Sequence, residues 1–277
     1  MTTAERAQAL AAPSGIPVDS LLDLVAAELG HAKALDGFVP HGDLHTRATP
    51  LSPILHSVAG NTPDAAIQTL TRGLLLGTQN RVKLPAEGIP QIDAFLAALP
   101  DDLSSLVKTT TERNVASDWL EDAAAVIAFG SDETIWELRS QIATTQVFIP
   151  HGHKVSIAVV DSDPYGNAAA LAARDIATHD QRGCLSPHDI YVAPDLRPRS
   201  FGAELARQLA ECEPPGERSF DEQAAIDHLR RSYAFRTASD TSAQTWQSEG
   251  NTDWTVVFEE EQQFAASPLG RFAFVKP

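Results

Sequence analysis

Ser52-Pro53-Ile54-Leu55-His56-Ser57-Val58-Ala59-Gly60-Asn61-Thr62-Pro63 sets a β-rich run, a glycine-containing turn and a proline-opened helix end to end. Residues 54–58 read as a strand. Pro63 suits the first turn of a helix, where its missing N–H is no loss, and Gly77 supplies a C-terminal stop, so the helix runs to about 76. A strand feeding a helix through a short turn is the unit of which parallel sheets are made.

The unit recurs. Residues 81–84 read as the next strand and 91–99 as the next helix. A third strand near 106–109 leads to a short helix around 113–120, and 124–129 forms a fourth strand. That strand ends at Gly130-Ser131-Asp132, a glycine turn and N-cap opening a helix over 133–142. In the second half, 155–160 reads as a strand, 167–178 as an alanine-rich helix and 188–192 as a strand. Two charged helices follow over 201–210 and 221–233, then a Ser/Thr/Gln-rich loop over 236–252 and strands at 254–259 and 271–275. The first 50 residues offer one amphipathic helix, 18–34, and a linker containing proline and histidine. The expectation is an α/β chain in three parts: a helical segment and linker over 1–50, a Rossmann-type parallel-sheet domain over 51–150, and a second α/β domain over 151–277, with a boundary near Pro150 and His151.

Composition narrows the function classes. With 43% apolar and 21% charged residues, the 277-residue chain is an ordinary globular protein. A net charge of −16 opposes sequence-independent nucleic-acid binding, which needs a basic face to displace counterions. Apolar stretches such as 168–173 fall far short of the roughly 18–20 residues of a membrane span. Glu5 and Arg6 leave no apolar signal core at the N-terminus. Two cysteines make no disulfide framework, so a reduced, cytoplasmic protein is expected. An anionic small molecule is still allowed, held by helix N-termini and basic residues such as Lys83, Arg139, Lys154 and Arg182.

Cys184 lies in Ala177-Thr178-His179-Asp180-Gln181-Arg182-Gly183-Cys184-Leu185-Ser186-Pro187, between a helical run and a strand-like one. A thiol on such a turn faces a cleft and can be ionised by helix ends and cations, which makes it a nucleophile candidate. Most free cysteines are small buried hydrophobes instead, and Cys212, on a polar helical run between Glu211 and Glu213, has no comparable setting. The chain has neither a G-x-G-x-x-G nor a P-loop motif. The turns at Gly60-Asn61 and Gly130-Ser131 present backbone N–H groups at helix starts, where an anion can bind, although most such turns only connect elements. Cys184 and the histidines match no structural zinc spacing, and no metal is expected.

Taken in order, the segment 52–63, Gly73-Leu74-Leu75-Leu76-Gly77 with Asn80-Arg81-Val82-Lys83, Phe129-Gly130-Ser131-Asp132-Glu133-Thr134-Ile135, Gly152-His153-Lys154-Val155-Ser156, and Asp175 with Asp180-Gln181-Arg182-Gly183-Cys184-Leu185-Ser186-Pro187 resemble the LuxC-type acyl-CoA reductases of the aldehyde dehydrogenase superfamily. Asp253-Trp254-Thr255-Val256-Val257 and Ser267-Pro268-Leu269-Gly270-Arg271-Phe272 also look like family segments, so the resemblance runs from about residue 50 to the end. It implies an aldehyde dehydrogenase-like fold, with a nicotinamide-binding domain over 51–150 and a shortened catalytic domain over 151–277. It implies that a fatty acyl-CoA is reduced to the aldehyde with NADPH through an acyl-enzyme on Cys184. Asn61 matches the oxyanion-hole asparagine, Lys83 the lysine at the adenosine ribose, and Gly130 with Ser131 the turn over the cofactor phosphates. Arg81 and Lys83 are placed to pair with a 2′-phosphate, with Glu87 opposing them.

Ordinary aldehyde dehydrogenases carry a Glu-Leu-Gly-Gly-Lys segment whose glutamate activates water to hydrolyse the acyl-enzyme. The equivalent here is Pro150-His151-Gly152-His153-Lys154, without the carboxylate, which favours reduction of the acyl-enzyme over hydrolysis. His151, His153, His179 and His188 are all candidate proton donors. LuxC-type proteins are longer, so a chain of this length is expected to rely on a homodimer or an acyl-transferring partner protein to cover its cleft. The alternatives are an acyl-phosphate reductase, a simple aldehyde dehydrogenase, or a non-catalytic interaction subunit on the same scaffold.

Overall fold

Thr2 starts the first element by a reciprocal cap: its side chain accepts the Glu5 N–H, and its own N–H donates to the Glu5 carboxylate at 2.7 Å. The computed structural model describes residues 1–60, 63–164, 166–238 and 241–277. It divides into two compact units, Met1–His153 and Lys154–Pro277. The opening holds two helices, α1 (Thr3–Ser14) and α2 (Val18–Leu29), which corrects the single helix expected over 18–34. The chain stops α2 at Gly30, whose φ of +77° suits a residue without a Cβ. An antiparallel hairpin, β1 (Val39–His41) and β2 (Leu44–Thr46), lies in the stretch read as a linker.

Strand–helix alternation then builds the first unit: β3 (Ile54–Ser57), α3 (Pro63–Leu76), β4 (Asn80–Lys83), α4 (Pro90–Ala97), α5 (Asp101–Ser104), β5 (Val107–Thr110), α6 (Arg113–Asp122), β6 (Ala125–Phe129), α7 (Asp132–Arg139) and β7 (Val147–His151). The sheet order is β5-β4-β3-β6-β7 and every pair is parallel. Because β3 is central and the chain winds outward first on one side and then on the other, the order reverses between β3 and β6, where open α/β sheets form their ligand crevice. The sequence pattern predicts no strand at 147–151, where the structure has β7. Pro150 is tolerated there because β7 is an edge strand, with no further neighbour to receive its missing N–H.

Leu70, Leu74 and Leu75 of α3 pack with Val82, Ile92, Phe95 and with Ala7, Leu10, Leu21 and Val25 of the opening helices. Each leucine, valine, isoleucine or phenylalanine among them contributes about 1.5–3 kcal/mol by leaving water. A buried polar network crosses this core. Asn80 donates from Nδ2 to the Thr78 carbonyl at 2.7 Å, which turns its Oδ1 toward His56 to accept from Nε2–H at 3.0 Å. His56 Nδ1 then accepts from the Thr69 hydroxyl at 3.0 Å, and burial pushes the pKa of the ring down to about 4. Gly73 makes room for the network, since a Cβ there would lie 2.0 Å from Asn80 Oδ1.

The second unit contains β8 (Ser156–Val160), α8 (Ala168–Ala177), β9 (Pro187–Val192), α9 (Pro198–Glu211), α10 (Phe220–Thr237), β10 (Ala243–Gln247), β11 (Thr255–Glu259) and β12 (Phe272–Lys276). The sheet order is β10-β11-β12-β9-β8, with only β10 antiparallel to its neighbour. β10 corrects the expected loop over 236–252. One sheet face packs Ile190, Val256, Ala273 and Val275 against α8 and α9. The other packs Val257, Phe272 and Phe274 against Ile226 of α10. On that second face the fully buried Lys276 ammonium lies 2.9 Å from Glu259 and 3.4 Å from Asp189, and Arg236 reaches the other Glu259 oxygen at 3.0 Å, so four charges meet at one site.

Candidate active site

Cys184 is exposed and sits in the turn between α8 and β9. The backbone leading to it is unusual. His179, Asp180 and Gln181 have φ of +52°, +52° and +67°, three consecutive non-glycine residues in the left-handed region. Such residues cost of order 1–3 kcal/mol each and persist only where the surroundings over-determine them. A second left-handed run, Leu269-Gly270-Arg271, provides that support. The Gly270 N–H donates to the Asp180 carbonyl at 3.2 Å, and the Arg271 guanidinium holds the Asp180 carboxylate through Nε at 2.8 Å and Nη2 at 2.7 Å. The other Asp180 oxygen accepts the Gly216 N–H at 3.0 Å.

Gln181 completes the clamp. Its buried amide donates to the carbonyls of Pro187 (2.8 Å) and Phe272 (2.9 Å) and accepts the Phe272 N–H at 2.8 Å. The Cys184 carbonyl accepts the Ser156 hydroxyl, which ties the turn to the start of β8. The thiol is therefore left in solvent while the backbone on both sides of it is fixed. The exposed His179 lies beside Gly183, its Cδ2 at 3.9 Å from where a Cβ on Gly183 would stand. His188 is buried instead, with Nδ1 accepting the Ser267 N–H at 3.1 Å.

The first unit has a cleft of about 380 Å³ at the carboxyl ends of β3 and β4, lined by Ser57, Val58, Lys83, Leu84, Arg113, Ser117, Thr134, Glu137 and neighbouring residues. It opens beside the reversal of strand order. Lys83 ends β4, and its ammonium donates to the Leu84 carbonyl. Burial first and the Arg113 charge second lower the Lys83 pKa, with Glu87 acting against them. Ser131 caps α7 by accepting the Thr134 N–H at 3.3 Å, and the Gly130 N–H donates to the His151 carbonyl. Asn61 lies outside the described residues. Among the described residues there is no cluster of three metal-ligating side chains and no helix long and apolar enough to cross a membrane.

A family model described as acyl-CoA reductase (LuxC) matches residues 10–277. The chain belongs to this family. Long-chain acyl-protein thioester reductases are among its relatives: that of Aliivibrio fischeri is 26% identical over 271 residues, and a second, from Photobacterium leiognathi, is 28% identical over 270. Each match covers 92% of this chain and 55% of the relative, so the chain spans little more than half the length of the relatives it matches. Solved structures place the LuxC chain in the aldehyde dehydrogenase fold. An oxidoreductase from Marinobacter aquaeolei superposes with a TM-score of 0.67 at 17% identity, over 92% of this chain and 58% of that one. The aldehyde dehydrogenase KauB from Pseudomonas aeruginosa gives 0.68 at 13% identity, over 100% of this chain and 68% of that one.

The structure separates the residues that the sequence singled out in this LuxC chain. Cys184 and His179 share the turn between α8 and β9, and Lys83 lines the cleft of the first unit. Arg81 does not, because its guanidinium is drawn to Asp122 at 2.5 Å. Arg182 pairs with Glu222 at 2.8 Å, and Arg139 lies over the Phe148 ring at 5.4 Å, so neither stands as a free anion-binding cation. The sequence gives no role to Asp180, Gln181 or Arg271 and does not single out Arg113. The clue available in the sequence was polarity: Asp180 and Gln181 form a polar pair in the turn next to the thiol.

Proposed function

We propose that this LuxC-family chain reduces a long-chain acyl thioester to the aldehyde, with Cys184 as nucleophile, CoA as the leaving thiol and NADPH as reductant. The observation that supports the reading most strongly is the exposed thiol on a backbone held by the paired left-handed turns. Reacting groups held in one geometry avoid much of the entropic cost of a bimolecular step. The Cys184 thiolate adds to the thioester carbonyl, the bond from the acyl carbon to the CoA sulfur breaks, and the released thiolate takes a proton. His179 is the group we assign to that proton, because it is the histidine beside Gly183. Asn61 and the Cys184 backbone N–H are assigned to the oxyanion, a position worth a factor of about 10²–10³ per donor.

The cofactor residues fit a nucleotide. A cleft of about 380 Å³ at the carboxyl ends of parallel strands falls within the size of ordinary ligand sites, about 300–1,000 Å³. Lys83 is assigned to the adenosine ribose, and Gly130 with Ser131 to the phosphates, in a nicotinamide-binding domain over 51–150. When bound, NADPH supplies hydride to the acyl carbon. Cys184 then leaves as thiolate, the aldehyde departs and the enzyme is restored. Pro150 stands where a water-activating glutamate would be, so the acyl group on Cys184 has no such base to hydrolyse it. The relatives are named for acyl-protein thioesters, which makes a protein-borne acyl thioester the alternative donor.

Release of CoA from a long-chain acyl-CoA tests the reading, followed with and without NADPH. With the cofactor, CoA and aldehyde should appear in equal amounts over many turnovers. Without it, release should stop after one equivalent per chain. Continued release without cofactor would mean that another base activates water and that the chain is a hydrolase.

A further inference from the structure

The cleft of the first unit has a cation that nothing above assigns. Arg113, the first residue of α6, lines it together with Lys83. Its guanidinium is exposed and has no ion-pair partner among the described residues. Arg81, on the same strand as Lys83, is unavailable because it is paired with Asp122. Two cations in one cleft repel each other, and the repulsion is felt at Lys83, whose ammonium the Arg113 charge disfavours. A dianion between them relieves that repulsion. The carboxylates of Glu137 in the cleft and Glu87 at its margin would repel the same dianion, so a single cation would discriminate poorly.

We propose that Arg113 is the residue that reads the adenosine 2′-phosphate of the cofactor, with Lys83 beside it on the ribose. The inference rests on the nicotinamide reading above and adds to it the source of the preference for the phosphorylated cofactor. Guanidinium suits the role, since its fork of N–H donors matches phosphate oxygens in pairs. Ser57 and Ser117 in the cleft wall add neutral hydroxyl donors that would not by themselves distinguish a phosphate from a hydroxyl.

Calorimetric titration with two nucleotide fragments tests this without turnover: adenosine 2′,5′-bisphosphate and adenosine 5′-monophosphate. The parent should bind the bisphosphate more tightly. Arg113→Gln, a change at an exposed position, should weaken the bisphosphate by about tenfold or more and leave the monophosphate unchanged. Lys83→Gln should weaken both. Equal affinities in the parent, or a bisphosphate affinity that Arg113→Gln leaves intact, would overturn the assignment while the nicotinamide reading stands. A parent that binds neither fragment overturns the assignment and the nicotinamide reading together, and acylation of Cys184, which needs no cofactor, then shows whether the thioester chemistry survives.

Discussion

Replacing His56 by Gln should flatten the acid limb of the stability profile. In the folded chain the His56 pKa is pushed from 6.5 to about 4, chiefly by burial, against a smaller opposite effect from its hydrogen bond to Asn80. Because the folded value is depressed, the unfolded chain holds an extra proton in the window between the two values. Stability is therefore full above about pH 6.5 and is lost as pH falls toward 4, with a slope of up to about 1.36 kcal/mol per pH unit from this group. Across the window the loss comes to about 3 kcal/mol. Hydrogen bonding changes little on protonation, since Nε2 donates to Asn80 in either state and the Thr69 hydroxyl can turn to accept; desolvation of the charge is the cost. Urea unfolding of parent and His56→Gln at several pH values between 4.5 and 7.5 reads it out. The variant should be less stable at pH 7 and should lose less between pH 6.5 and 4.5. Parallel profiles, or a parent His56 that titrates near 6.5 by NMR, would refute the reasoning.

Gly73→Ala places a Cβ 2.0 Å from Asn80 Oδ1 and must displace the His56 network, so the melting temperature should fall by an amount matching about 1–3 kcal/mol. Arg271→Leu leaves the Asp180 carboxylate without its cation; a loss of about 3–5 kcal/mol is expected in chemical denaturation, together with slower acylation of Cys184, and parental values of both would show that the turn does not depend on the pair. Lys276→Met strands the buried Asp189 carboxylate, while Glu259 keeps Arg236 at 3.0 Å, and should cost a similar amount near pH 7. Burial already raises the Asp189 pKa, so protonation relieves the variant first, and its deficit in urea unfolding should shrink between pH 7 and pH 5.

What could be read from the sequence was what local chemistry controls. Pro63, Gly77 and the Gly130-Ser131 turn mark the ends of elements, and the alternation they punctuate forms the five-stranded parallel sheet. β10 was not legible because Ala243-Gln244-Thr245-Trp246-Gln247 is a polar edge strand with a weak apolar alternation. α1 was missed although Thr2 and Glu5 have capping-box spacing, since its alanine-rich run shows little apolar periodicity. Cys184 was legible as a turn thiol. Its support was not: Asp180 and Arg271 are 91 residues apart, and nothing in His179-Asp180-Gln181 announces a left-handed backbone. Side-chain direction was equally hidden, so Arg81 was expected in the cleft where the structure places Arg113.

Intact-protein mass spectrometry after exposure to a long-chain acyl-CoA, without nicotinamide, tests the central claim most directly. The account predicts one acyl group added per chain, mapped by peptide digestion to Cys184, and absent from Cys184→Ala, which should melt as the parent does because the thiol is exposed. An adduct that persists in Cys184→Ala, or a parent that gains no acyl group at all, would contradict it.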